Sequence, residues 1–101
     1  MAATAKRLYL GNPSTTLTTV YTVPVNTTTI VKSIVICNTS ATDTTASIVI
    51  STAGIVYNMP IKGKDTVIID MSLVMYANDT IQVQQGIANN LNITISGVEV
   101  A

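Results

Sequence analysis

Apolar and polar residues alternate along much of this chain with a period of two, the spacing at which successive side chains of a β-strand leave opposite faces. Lys6 to Leu10 predicts a first strand with Leu8 and Leu10 inward, stopped by the turn signal Gly11-Asn12-Pro13. Thr15 to Val23 predicts a second, carrying Leu17, Val20, Tyr21 and Val23, with Pro24 closing it because proline cannot donate to a ladder. Thr28 to Asn38 is different. It places Ile30, Ile34 and Ile36 on one face and Val31, Val35 and Cys37 on the other. A strand apolar on both faces is expected to be covered on both. The polar segment Asn38 to Thr45 favours a turn, and the run ending at Ile50 predicts the next strand. The expectation is a hairpin at the middle of a sheet.

Further on, Ile55-Val56-Tyr57 predicts a short strand stopped by Asn58-Met59-Pro60, with Ile61 to Lys64 as a loop. Thr66 to Leu73 alternates Val67, Ile69, Met71 and Leu73 against Thr66, Ile68, Asp70 and Ser72, and Val74 to Ala77 bends into an Asn78-Asp79 turn. Ile81 and Val83 alternate with Gln82 and Gln84, which predicts one wet face. After a turn at Gly86 to Asn90, Leu91, Ile93 and Ile95 share a face. Val98 and Val100 resume one residue out of step across Gly97, the pattern of a β-bulge. Lys64-Asp65-Thr66 and Asn78-Asp79-Thr80 enter their strands alike, each Asp placed to accept a backbone hydrogen bond. About eight short strands at roughly ten-residue spacing predict an all-β fold, an antiparallel β-sandwich of the jelly-roll or Ig-like kind. Residues 1–101 make a single domain, with 1–5 expected to form a flexible N-terminal arm.

Composition sharpens this picture. Thr, Ile and Val make up about two fifths of the chain, and all three suit a pleated surface better than a helix. Five basic and five acidic residues cancel. That leaves no electrostatic footprint for nucleic acid or an anionic membrane. Only 10% of residues are charged, against about 25% in ordinary soluble domains. Scarce charge with abundant Ile and Val implies that surface is covered by other copies or by partners. Met1 to Lys6 lacks the apolar stretch of a signal peptide, and no apolar run is long enough for a membrane span.

Candidate chemistry is sparse. The chain has no His, so neither a histidine base nor a histidine metal ligand exists. The lone Cys37 lies in an apolar run and is expected to be a buried, unreactive core residue. Asp65 and Asp79 open strands; Asp70 and Glu99 are expected on wet faces. No pair of carboxylates across a cleft, calcium loop or phosphate-cradling glycine run is present. The expectation is a non-enzyme with no catalytic, cofactor or metal site. Tyr9, Tyr21, Tyr57 and Tyr76 are the only aromatics. An exposed tyrosine could serve a carbohydrate-binding face.

Several pieces carry a likeness: Ala5-Lys6-Arg7-Leu8-Tyr9-Leu10-Gly11, Tyr21-Thr22-Val23-Pro24, Ile30-Val31-Lys32-Ser33-Ile34 with Cys37-Asn38-Thr39, Ala77-Asn78-Asp79-Thr80-Ile81, and Ile95-Ser96-Gly97-Val98-Glu99. Taken together the chain resembles small structural proteins of tailed bacteriophages. These are strand-and-turn motifs and carry no site residues over. The resemblance implies a virion protein, a capsid-surface decoration or head-fibre subunit made in the host cytoplasm. Its partners would be itself, as a homotrimer, and the major capsid protein or another virion protein. The alternative is a tail-associated or receptor- and carbohydrate-binding adhesin module. For self-association, Ile36, Ile48, Tyr57 and Ile68 are the expected interface residues.

Overall fold

The computed structural model describes residues 2–101. Eight strands form two four-stranded antiparallel sheets, and the described residues contain no helix. The strands are β1 (Ala3–Gly11), β2 (Thr18–Thr22), β3 (Thr28–Asn38), β4 (Thr44–Ile50), β5 (Ala53–Ile61), β6 (Thr66–Met75), β7 (Thr80–Gln85) and β8 (Leu91–Val100). One sheet, here the first, has the order β1-β8-β3-β6; the second has β2-β7-β4-β5.

The pairings β1–β8, β2–β7, β3–β6 and β4–β5 nest inside one another. The chain is thus one long hairpin wound up on itself, and β8–β3 and β7–β4 contacts close each sheet. This is the jelly-roll member of the sandwich class. Within a sheet, the one direct connection is the β4–β5 hairpin, turned by Ser51 and Thr52 at φ 45 and 72. The expected hairpin of β3 with β4 does not form. Each is a central strand, but of a different sheet, because the polar segment between them crosses the end of the sandwich.

The core lies between the sheets. Leu8, Val31, Ile34, Ile36, Ile93 and Ile95 from the first sheet meet Ile48, Val56, Ile81 and Val83 from the second, all buried. Burial of a full Ile side chain contributes about 1.5–3 kcal/mol, and this aliphatic layer stands where Phe and Trp, absent from the chain, would otherwise pack.

A line of irregularities crosses the first sheet at the level of Ser96. Leu8 is the extra residue of β1 against β8, and Lys32 that of β3 against β8. On β6, Met71 and Ser72 together oppose Lys32. Strand β8 itself keeps a regular alternation: Leu91, Ile93, Ile95 and Gly97 face inward. The bulge expected at Gly97 therefore lies on its neighbours. Gly97 is glycine for another reason. A Cβ there would run into the Ile30 carbonyl of the neighbouring strand β3.

Other expectations change too. Ala3 to Ala5, expected in a loose arm, pair with Val98 to Val100 as the start of β1; Met1 lies outside the described residues. Leu10 points outward, since the extra residue Leu8 shifts the parity of β1. Strand β5 runs on through Asn58-Met59-Pro60 to Ile61. Proline is tolerated there because β5 is an edge strand, and Asn58 takes the left-handed turn of a bulge at φ 45. The two Asp entries do share a plan. Asp65 and Asp79 close turns onto the carbonyls of Lys62 and Tyr76, each after a left-handed residue, Lys64 (φ 64) and Asn78 (φ 73).

Candidate interaction surfaces

A two-layer sandwich buries one face of each sheet; the other two faces are what the molecule shows its surroundings. The registers define the outer face of the first sheet row by row. One row is Ala5–Val98–Ile30–Val74. The next, past the bulge line, is Arg7–Ser96–Ser33–Asp70, and the third is Leu10–Thr94–Val35–Ile68. Two aliphatic rows therefore flank one polar row. Leu10 is 55% exposed, Ile68 66% and Val74 48%, while Ile30, Val35 and Val98 are half-buried by their neighbours. Lys32 also faces out, its Nζ 3.0 Å from Ser72 Oγ.

The outer face of the second sheet is polar along β2 and β7, while its edge strand β5 exposes Ile55 and Tyr57. Thr19, Gln82 and Val49 share a row, and Gln84 lies opposite Ser47. Gln84 Nε2 donates to the Thr15 carbonyl at 2.8 Å, and Ser47 Oγ accepts from the Asn58 backbone N–H at 2.9 Å. A shallow depression of about 110 Å³ lies here, lined by Thr15, Thr45, Ser47, Asn58, Gln84 and Gly86. Beside it on β5, Tyr57 is 73% exposed, with its ring leaning toward Gly54.

At one end of the sandwich a polar cluster spans the two sheets. Tyr21 Oη donates to Glu99 Oε2 at 2.5 Å and lies 2.8 Å from Thr29 Oγ1, whose hydroxyl supplies the other bond. Lys6 Nζ lies 3.3 Å from Glu99 Oε1. Glu99 was expected on a wet face, but the regular alternation of β8 turns it inward, and its side chain is only 17% exposed. The hydrogen bond from Tyr21, with a smaller contribution from Lys6, holds the Glu99 carboxyl below the ordinary carboxylate range. Burial first, then the bond to Glu99, pushes the Tyr21 phenol up to about 12. The cluster stitches β8, β3 and β2 together and opens no cleft.

The four residues expected at an interface separate. Ile36 and Ile48 are fully buried between the sheets and cannot meet a partner. Parity explains this: the Lys32 bulge puts Ile36 on the inner face of β3, and Ile48 faces Val56 and Val83 inside the second sheet. Tyr57 and Ile68 are on the surface, on edge strands of different sheets, so they do not form one patch. Cys37, expected in the core, is half-buried on the outer face of the first sheet, opposite Asn92 and Thr66.

Sequence reasoning missed Leu10, Ile30, Val35, Val74, Val98 and the pair Arg7 and Asp70 as parts of one surface. A signal was present: two consecutive polar residues, Lys32-Ser33, interrupt an apolar run, and both point outward at the bulge. Among the described residues no group of three carboxylates or thiols converges as a metal site would require. A scan of protein families finds none that matches this chain, and a search of curated proteins finds no significant relative.

Proposed function

We propose that this protein is a non-enzymatic structural subunit that associates with itself, a bacteriophage virion component of the capsid-decoration or head-fibre kind. The observation that carries the self-association is the outer face of the first sheet. Its two aliphatic rows expose Leu10, Ile68 and Val74 on a chain of which only 10% is charged, and exposed apolar surface on a small domain marks an interaction site. The virion setting rests on the resemblance to phage structural proteins, with which a neutral, Thr-rich sandwich agrees. That resemblance implies a trimer, and the major capsid protein or another virion protein as second partner.

Sedimentation at micromolar concentration tests association; cross-linking in an intact particle tests location. A species heavier than the 10.6 kDa chain, cross-linked to a capsid protein, is expected. A persistent monomer with no affinity for any virion protein would contradict the reading. The second reading, a tail-associated or carbohydrate-binding adhesin module, draws on Tyr57 beside the hydroxyl- and amide-lined depression of the second sheet. Glycan binding lost in Tyr57→Ala would favour it.

A further inference from the structure

We infer that the outer face of the first sheet pairs with the same face of a second copy, about a two-fold axis that runs along the strands between β8 and β3. The inference rests on the self-association proposed above and assigns its partner and orientation.

The face is large enough. Four strands about 4.8 Å apart, over roughly 30 Å of their length, offer about 600 Å² per copy. Two copies bury about 1,200 Å², the lower bound of a standard specific interface. A face that meets itself is isologous and closes at two copies.

Charge decides the orientation. Arg7 and Asp70 stand at opposite ends of one row, on the edge strands β1 and β6. A two-fold axis along the strands exchanges β1 with β6 and β8 with β3 and keeps every row at its own height. Arg7 then lies over Asp70 of the second copy, and Asp70 over its Arg7. In the same step Leu10 meets the second copy's Ile68, Ala5 its Val74, and Val98 its Ile30. The competing axis, across the strands, leaves β1 over β1. It sets Arg7 against Arg7 and Asp70 against Asp70, and like charges in apposition are strongly disfavoured. The small rotation at which sheets pack aligned is within the reach of an arginine. The remaining charge, Lys32, is drawn toward Ser72 on β6, one row from Asp70.

The pairing gives a dimer where the resemblance implies a trimer. A trimer would need contacts between unlike surfaces.

The test is sedimentation velocity on the full chain with Arg7→Asp, Asp70→Arg and the double exchange, at low salt, with circular dichroism to confirm the fold. Both side chains are exposed, so all three variants keep the sandwich. The wild type is expected at twice the chain mass. Each single change is expected to weaken association by about tenfold or more, since it creates two like-charge contacts, and the double exchange to restore it. A wild-type trimer, or a dimer that the double exchange fails to restore, would overturn the two-fold pairing while leaving self-association standing. A wild type that stays monomeric would overturn both.

Discussion

The two outer faces of this sandwich come from strands of similar composition and differ in what they expose. On the first sheet, Leu10, Ile30, Val35, Ile68, Val74 and Val98 look outward in two rows. On the second, Thr19, Gln82 and Gln84 do so, with Ile55 and Tyr57 exposed at the β5 edge. Water satisfies the hydroxyls and amides of β2 and β7, so that part of the second face needs no neighbour. The first gains about 25 cal/mol for each Å² of apolar surface a partner covers. The difference teaches that strand alternation divides residues between two faces but does not say whether the outer one meets water or protein.

The largest effect expected in a test of this contrast lies between the faces. Ile48→Ala removes a fully buried side chain and is expected to cost about 2–5 kcal/mol in denaturant unfolding. Thr19→Ala on the polar face should stay within about 0.5 kcal/mol. A small loss for Ile48→Ala would return that residue to the surface. Next comes Gly97→Ala, which drives a Cβ into the Ile30 carbonyl at the bulge line and is expected to cost about 1–3 kcal/mol. Gly54→Ala meets only the Tyr57 ring at 3.4 Å and should be nearly neutral.

A smaller effect separates the faces from outside. Ile68→Lys is expected to weaken association about tenfold, roughly 1.4 kcal/mol, while Thr19→Lys on the other face leaves it unchanged. Equal effects would remove the distinction between the faces.

How much of this was legible varies by element. The strands and the sandwich follow from alternation and turn residues, and the wet face of β7 from its glutamines. What alternation could not show is a local change of phase. The extra residues Leu8 and Lys32 turn Leu10 outward and Ile36 inward, and the apparent break at Gly97 belongs to the neighbouring strands. Assigning β3 and β4 to different sheets depends on contacts between distant residues, which a local pattern does not contain. The alignment of Arg7 and Asp70 in one row across four strands is likewise a property of register.

The smallest effect is on pH dependence. Glu99 has a lowered folded pKa, so its contribution is present above about 4.5 and is lost as pH falls through the folded value. Tyr21 has a raised one, so its contribution is present below about 10 and is lost as pH rises toward about 12. Unfolding followed against pH should therefore show a plateau with two shoulders. Glu99→Gln should remove the acid shoulder, and Tyr21→Phe should weaken both. An unchanged acid shoulder in Glu99→Gln would take the cluster out of the account.

Coverage of the outer face of the first sheet on association has a natural reporter in Cys37, the single thiol of the chain, half-buried on that face. The direct measurement is the rate of native thiol labelling, with reagent in excess, as protein concentration rises across the range over which sedimentation is used to follow association. The dilute protein is expected to label in the native state, at a rate that falls as copies pair. A rate that stays constant while the protein associates would place the contact on another surface and contradict that coverage.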